Sequence, residues 1–301
     1  MSSGLALTTV TAAGEAGRVL AEHAWSTVVD EFAAAEDAMS RFMEGSEVTA
    51  LNRAALRGAP LAVGRRLARA AHASDRAHRI TAGRFDPRVL ELLDGWGYAG
   101  ASLGAAAATA TVGAPERIVE RVDRQRIRLP HPIDLGGIGK GLAVRWAADR
   151  VQRAGVGRFL LDAGGDLVAH GPGPDGTPWM IGVEDPAGGA DPLAVVGLVD
   201  GAMATSSIRR LQWVADGRPR HHLVDPATGE PADGGLLAVT VAAADPAWAE
   251  VWSKTLFIAG RAGIAAEARA RGLAAWWIAT DGSLEMTAAA RVRTVWVAGE
   301  S

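Results

Sequence analysis

The stretch DLGGIGKGLAV, residues 134–144, combines a carboxylate, four glycines and a lysine. A glycine-rich turn that opens a helix leaves backbone N–H groups available to an anion, and Lys140 adds a positive charge. The pattern is not the GxxxxGK[ST] of a P-loop, because Gly141 follows Lys140, and it is not GxGxxG. Two interpretations stay open: a phosphate-binding turn, or a glycine-rich strand-to-helix turn with a solvated lysine.

Lysine is rare in this chain, which makes its positions informative. Only Lys140 and Lys254 occur among 31 basic residues, and the rest are arginines. A lysine is a compact charge with rotatable donors, so it fits beside a phosphate where a planar guanidinium does not. We therefore predict a tight, partly enclosed phosphate pocket for both lysines. The alternative for Lys254 is an ordinary surface pair with Glu250, four residues earlier on the same helical face, worth a few tenths of a kcal/mol.

Two adjacent histidines precede an Asp-Pro turn in the sequence RHHLVDPATGEP. A neutral imidazole at His222 could accept a proton from a hydroxyl or donate a hydrogen bond to a phosphate. A lone histidine is more often structural, and the adjacent pair favours a functional role here. Asp225 is predicted to order the turn.

The elements that would position these residues are helices and short strands in irregular order. Apolar periodicity predicts helices over 15–42, 63–80, 141–154, 246–259 and 262–271, with a short one over 88–94 and Gly83 as a C-cap. Strands are predicted over 5–10, 108–112, 117–121, 125–129, 274–279 and 292–298, and on both sides of Gly164-Gly165. Without regular βα alternation, an α+β fold is expected.

Composition excludes several classes of function. The 301 residues carry a formal net charge of −3 without a basic block, which argues against nucleic-acid binding. The chain has no cysteine, so disulfides, thiolate metal sites and a cysteine nucleophile are excluded. No stretch has the length of a membrane span, and no signal peptide or lipobox is recognisable, so a cytoplasmic location is expected.

Several short motifs, in order along the chain, carry a family resemblance. They are SRFMEGSEVTALN, GRFDP, DLGGIGKG, GGD, ATS, HHLVDPATGEP and AEVWSKTLFIAG. Together they resemble the ApbE family of FAD:protein FMN transferases, over about residues 40–260. The resemblance implies an ApbE-like, T-fold-related single compact domain over 1–301, with mixed or antiparallel sheets and packed helices.

The resemblance also implies an activity. An enzyme of this family moves FMN from FAD to a threonine or serine hydroxyl of an acceptor protein and releases AMP, with Mg²⁺ assisting. The acceptor carries a flavinylation motif of the D-G-x-[ST]-G-A-[ST] type, which this chain lacks, so self-flavinylation is not expected.

Residue roles follow from matching the motifs position by position. The implied catalytic residues are His222, Lys140 and Lys254. The implied FAD contacts are Phe42, Phe85, Asp86, Asp134, Lys140, Thr205 and His222. The implied metal ligands are the carbonyl of Gly137 and the side chain of Glu250. Asp162 and Asp166 flank a recurrent turn, for which a structural role is favoured.

Two departures from the family pattern leave alternatives open. An early MGT signature is missing, so one FAD contact is unassigned. The family's Asp and Thr metal ligands are replaced by Glu250 and Lys254; Glu250 can bind a hard cation, whereas an ammonium has no lone pair to offer. Lys254 could replace part of the metal's charge, pair with Glu250 in a non-catalytic FAD-binding paralogue, or turn away and leave water on the metal. An FAD pyrophosphatase that releases FMN and AMP is a further alternative.

Overall fold

The computed structural model describes residues 4–98, 117–209 and 211–299, so the strand predicted over 108–112 lies outside the described residues. The helices are α1 (Glu15–Met39), α2 (Glu47–Ala55), α3 (Arg65–Ile80), α4 (Leu90–Gly95), α5 (Gly139–Arg153), α6 (Pro246–Ala270) and α7 (Ala288–Arg291). A 3₁₀ turn over Pro87–Val89 precedes α4.

The strands are short, and every pairing between described strands is antiparallel. They are β1 (Leu5–Thr9), β2 (Leu61–Ala62), β3 (Glu120–Arg121), β4 (Arg126–Arg128), β5 (Phe159–Ala163), β6 (Asp166–His170), β7 (Trp179–Val183), β8 (Ala194–Leu198), β9 (Gly201–Ser207), β10 (Gln212–Ala215), β11 (Arg218–His221), β12 (Val224–Asp225), β13 (Glu230–Pro231), β14 (Leu236–Ala243), β15 (Ala274–Ala279), β16 (Leu284–Met286) and β17 (Thr294–Val297). The α+β prediction is confirmed.

The chain divides into two compact units. Unit 1 holds residues 33–139 and 211–232, and unit 2 holds residues 2–32, 140–210 and 233–301. One boundary falls between Gly139 and Lys140, inside the motif that the sequence marks as an anion-binding turn. The single domain expected over 1–301 stays a prediction.

Unit 2 is built on a seven-stranded sheet in the order β1-β5-β6-β9-β14-β15-β16. On one face, apolar side chains of α1 and α5 pack on β1 and β5, around Phe159. On the same face, Ala249 of α6 packs on Ala202 and Ala204 of β9. The other face packs on the small sheet β17-β8-β7 around the fully buried Trp276. Helices α5 and α6 therefore pack on the same face of the sheet.

Helix α6 is interrupted at Gly260, which confirms the prediction of two helices over 246–259 and 262–271. Asp245 caps its N-terminus by accepting a hydrogen bond from the Trp248 N–H (3.2 Å), and Pro246 occupies the first turn, where it needs no amide partner. The kink is at Gly260, whose φ of 70° is left-handed. A Cβ at Gly234 would lie 2.5 Å from the Gly260 Cα, so two glycines allow this backbone approach.

Unit 1 contains α2, α3, α4 and three small groups of strands: β2-β4-β3, β10-β11 and β12-β13. Helix α3 ends as predicted, because Gly83 adopts a φ of 81° and its N–H donates to the His78 carbonyl (2.9 Å). The sequence analysis did not predict α2. Its nine residues are too few for a clear period, and its start is marked by Ser46, whose hydroxyl accepts from the Thr49 N–H (3.3 Å).

Candidate functional site

The turn that precedes α5 is held in place by the chain's only asparagine. The buried Asn52 side chain donates to the Ile133 carbonyl (2.8 Å) and accepts from the Ile133 N–H (2.9 Å). One residue later, the Asp134 N–H donates to the Pro87 carbonyl (2.7 Å). These three hydrogen bonds fix the backbone at Ile133 and Asp134, and thereby the position from which the Asp134 side chain extends. The role of Asn52 was not assigned from the sequence, although its uniqueness was a signal.

Asp134 is paired with an arginine that the sequence analysis did not single out. The Arg41 guanidinium lies 2.9 Å (Nε to Oδ2) from Asp134 and 2.6 Å (Nη1 to Oδ1) from Asp94. Burial raises the pKa of Asp94, Arg41 lowers it, and Asp134 raises it again. One guanidinium is therefore shared between two carboxylates, and the predicted FAD contact Asp134 is neutralised within unit 1.

An aromatic cluster lies around the same guanidinium. Arg41 is 4.8 Å from the Phe42 ring centroid and 4.7 Å from that of Tyr98. Phe42 meets Tyr98 edge-on at 5.8 Å, and Tyr98 stacks on Trp213 at 5.1 Å. Phe42 is 54% exposed, so this predicted flavin contact has a large accessible apolar face. Tyr98 and Trp213 were not predicted.

Phe85 and Asp86 are both buried in unit 1. Asp86 accepts from the Arg88 N–H (2.9 Å) and forms a two-pronged pair with its guanidinium, at 2.9 Å for Nε and 2.6 Å for Nη2. Both side chains of this pair are almost completely buried, at 0% and 2% exposure. Asp86 therefore organises the 3₁₀ turn that carries Pro87, the residue to which Asp134 is bonded. Its direct contact with FAD stays a prediction.

In unit 1, His221 ends β11 and His222 follows it, before β12 begins at Val224. His221 Nδ1 accepts from the Leu223 N–H (3.3 Å), and His222 is half-buried. Asp225 accepts from the Ala227 N–H through its side chain (2.9 Å) and from the Gly229 N–H through its carbonyl (2.9 Å). The prediction that Asp225 orders the turn is confirmed.

In unit 2, Lys140 forms an ion pair with Asp166. Asp166 begins β6, directly after the Gly164-Gly165 turn, and Asp162 holds this turn by accepting from the Gly165 N–H (2.8 Å). Burial alone would lower the pKa of Lys140, but Asp166, Glu250 and Asp162 together raise it above the usual value for lysine. Lys140 is therefore a permanent cation, and Asp166 is its partner as well as a turn residue.

Glu250, a residue of α6, accepts a hydrogen bond from the first turn of α5. Its Oε2 accepts from the Gly141 N–H at 2.8 Å, which gives a partner to one of the N–H groups that the first turn of a helix leaves unbonded. A Cβ at Gly141 would lie 2.5 Å from the Ala247 Cα, so the approach of the two helices requires glycine. Glu250 Oε1 is buried and has no hydrogen-bond partner among the described residues.

Lys254 follows Glu250 by one helical turn and is half-buried. Burial raises the pKa of Glu250, Asp166 raises it further, and Lys140, the Gly141 N–H and Lys254 lower it, with a resulting pKa of about 8. The chain's two lysines thus both act on one buried carboxyl group. We refer to Lys140, Asp162, Asp166, Glu250 and Lys254 as the two-lysine cluster.

Thr205 is not part of this cluster. Adjacent strand residues point to opposite faces, and Ser206 bonds to Ser253 of α6 (2.9 Å between the hydroxyl oxygens). Thr205 therefore lies on the other face of the sheet, where its hydroxyl is 2.8 Å from that of Thr240. Within unit 2, Ala204 and Ser206 are the residues of the ATS motif that face α6.

The donor set around Glu250 does not suit a divalent cation. One unpartnered carboxylate oxygen is available, but the residue one turn later is an ammonium instead of an oxygen donor, and Lys140 is also close. No group of three or more His, Asp or Glu side chains that could hold a metal ion occurs in the part of the chain that the structure describes. The other predicted ligand, Gly137, is a buried residue of the unit 1 turn.

Comparison with known proteins agrees with the motifs. The model of the ApbE family matches residues 6–277. An FAD:protein FMN transferase of Klebsiella pneumoniae is 30% identical over 182 residues, which is 59% of this chain and 52% of the relative. Another from Escherichia coli K12 is 30% identical over 151 residues, 50% of this chain and 43% of the relative. The chain thus spans about half the length of these curated relatives.

The fold is also that of solved structures. The crystal structure of the ApbE protein from Thermotoga maritima superposes with a TM-score of 0.79 at 27% identity and covers 95% of both chains. Among the helices described, none combines the length and the apolar character that crossing a bilayer requires. With a family match over most of its length and the same fold, the chain belongs to the ApbE family.

Proposed function

We propose that this chain transfers FMN from FAD to a threonine or serine hydroxyl of an acceptor protein and releases AMP. The observation that carries the proposal is the family match over residues 6–277, within which the motif residues Asp134, Lys140 and His222 are present. The relatives in this match bear the name FAD:protein FMN transferase. The acceptor is proposed to carry a flavinylation motif of the D-G-x-[ST]-G-A-[ST] type.

The reaction exchanges a phosphoanhydride bond of FAD for a phosphoester bond to the acceptor. The acceptor oxygen attacks the phosphorus of the FMN moiety, the P–O bond to the bridging oxygen of the pyrophosphate breaks, and AMP leaves with that oxygen. The hydroxyl proton passes to a base, for which we propose His222. Catalysis of such transfers rests mainly on positioning and on neutralising phosphate charge.

The described residues supply these functions in two groups. In unit 1, we propose that the exposed ring of Phe42 contacts the flavin, with Arg41 and Asp134 fixing the adjacent backbone and charge. In unit 2, we propose that Lys140 neutralises phosphate charge. Its side chain is 30% exposed, so its ammonium can exchange Asp166 for a phosphate oxygen. Phe85, Asp86 and Thr205 remain proposed FAD contacts from the resemblance alone.

The test incubates the purified chain with FAD, with and without Mg²⁺, and with an acceptor protein that carries the motif. We expect covalent flavin on the acceptor, seen as fluorescence in a denaturing gel, and an equal amount of AMP by chromatography. Acceptor variants with alanine at the motif hydroxyl should stay unlabelled.

Three other results would contradict the proposal. Free FMN plus AMP, at a rate independent of the acceptor, would identify an FAD pyrophosphatase. Intact, bound FAD without turnover would identify a non-catalytic flavin-binding protein. No FAD binding at all would remove the flavin-based function entirely.

A further inference from the structure

The two lysines of this chain converge on a single buried carboxyl group, and this convergence points to a way of handling phosphate charge. Lys140 directly precedes Gly141, whose N–H donates to Glu250 (2.8 Å), and Lys254 follows Glu250 by one turn of α6. They come from different helices, α5 and α6. In a chain with 29 arginines, the placement of both lysines in one cluster indicates a requirement for compact point charges.

The position of Lys254 in its helix directs it to this cluster. Glu250 and Lys254 are separated by four residues and lie on the same face of α6. Glu250 is anchored by its bond from the Gly141 N–H (2.8 Å), so the Lys254 side chain starts one helical turn from a residue that touches the N-terminal turn of α5. That turn adds the positive end of a helix dipole to the two ammonium groups.

The two ammonium groups of the cluster disfavour the binding of a divalent cation. Lys140 is already paired with Asp166, and Lys254 follows Glu250 by one helical turn. A Mg²⁺ ion at Glu250 Oε1 would bring two more positive charges close to both lysines, without an oxygen ligand one turn later. The donor set therefore opposes the metal that the family resemblance implies.

We propose that the Lys254 ammonium takes the place of the divalent cation, so that this chain neutralises the pyrophosphate of FAD with Lys140 and Lys254 and transfers FMN without Mg²⁺. This inference is tested by a measurement of metal binding and a measurement of FMN transfer. The transfer measurement rests on the proposed transferase function, whereas the metal-binding measurement is independent of it.

The first arm measures metal binding in the absence of FAD. Mn²⁺, a paramagnetic substitute for Mg²⁺, is titrated into the full chain and followed by electron paramagnetic resonance and calorimetry. We expect no stoichiometric binding below millimolar concentration in the wild type, and a gain of at least about tenfold in affinity for Glu250→Asp combined with Lys254→Thr. Stoichiometric sub-millimolar binding by the wild type would overturn the proposal.

The second arm measures FMN transfer in EDTA and in Mg²⁺. The wild type should change by less than about threefold, Lys254→Met should lose about 10²-fold in both conditions, and Lys254→Arg should regain part of this loss. The double variant should require Mg²⁺. Arg261→Thr, which removes an exposed charge from the same helix, is the matched control and should behave as the wild type.

The outcomes of the two arms separate the two proposals. Loss of wild-type transfer in EDTA with recovery in Mg²⁺ overturns the metal-free inference and leaves the transferase function intact. No transfer under any condition overturns the transferase function, while the Mn²⁺ titration still decides whether Lys254 excludes the metal. Circular dichroism melting curves confirm that each variant is folded.

Discussion

The arginine pairs of unit 1 and the two-lysine cluster of unit 2 neutralise buried carboxylates in different ways. In unit 1, Asp86 is held by both prongs of Arg88, and Asp134 shares Arg41 with Asp94. The exposed fractions of these arginines are 2% and 5%. In unit 2, Asp166 is paired with Lys140, whose side chain is 30% exposed.

The buried arginine–carboxylate pairs are therefore fixed, whereas the partly exposed Lys140–Asp166 pair can exchange its acceptor. A guanidinium that bonds a carboxylate through two nitrogens fixes its direction, and complete burial leaves a ligand no access to it. An ammonium on a flexible stem can rotate from one acceptor to another. The arginine pairs therefore hold the backbone of unit 1, whereas the partly exposed ammonium of Lys140 can rotate between acceptors. Four predictions test this comparison.

Asp86→Ala should give the largest effect. It leaves the Arg88 guanidinium buried without its carboxylate, and such a change typically costs about 3–5 kcal/mol of unfolding free energy. Urea unfolding measures the loss. Glu184→Ala is the control, because its pair with Arg209 is largely exposed and should contribute less than about 1 kcal/mol. Equal losses in the two variants would show that the Asp86 pair is no more structural than a surface pair.

Lys140→Met should lower the rate of FMN transfer by about 10²- to 10³-fold, because the charged group that we propose neutralises the transferring phosphate is removed. Lys140→Arg should recover little of it, since a planar fork cannot pivot between Asp166 and the phosphate in the same space. Rates are measured at saturating FAD. Arg153→Met, at the exposed end of the same helix, should keep the wild-type rate. An arginine variant as active as the wild type would show that the exchangeable pair does not require a lysine.

Much of this arrangement could be predicted from the sequence, because the elements have local signals. The strand pair around Gly164-Gly165, helix α5 and the Gly83 cap all follow from periodicity and glycine placement, and the structure confirms them. The break at Gly260 was also predicted, because the two helical runs end and begin on either side of a glycine whose backbone is left-handed.

The partners of the site residues could not be predicted, because they are distant in the chain. Arg41 is 93 positions from Asp134, and Glu250 is 109 from Gly141, and no local pattern joins residues so far apart. The uniqueness of Asn52 and the scarcity of lysine were the available signals. They marked residues of interest, but only the fold shows that Asn52 holds Ile133 and that both lysines act on Glu250.

Gly141→Ala tests how the two-lysine cluster is positioned. The added Cβ would meet the Ala247 Cα at 2.5 Å and the Pro246 carbonyl oxygen at 2.6 Å, and backbone atoms cannot move aside cheaply. We expect a loss of about 1–3 kcal/mol in urea unfolding. Gly139→Ala is matched to it, since a Cβ there meets only the Leu135 Cβ at 3.7 Å, and it should cause no loss. If both variants are equally stable, the close approach of α5 and α6 does not require glycine.

The smallest effect is expected for Asp94→Asn, and it concerns the pH dependence of stability. Burial raises the pKa of Asp94 above its ordinary value of 3.8 despite the neighbouring Arg41. Between 3.8 and the raised pKa, the native state binds more protons than the unfolded state, so the free energy of unfolding contributed by Asp94 falls as pH rises. Unfolding free energies of the wild type minus those of Asp94→Asn should therefore decrease from about pH 4 upward and level off once Asp94 is ionised in both states. A difference that increases over this range would mean that Arg41 outweighs burial, and that the shared arginine stabilises the ionised form of Asp94 more strongly than water does.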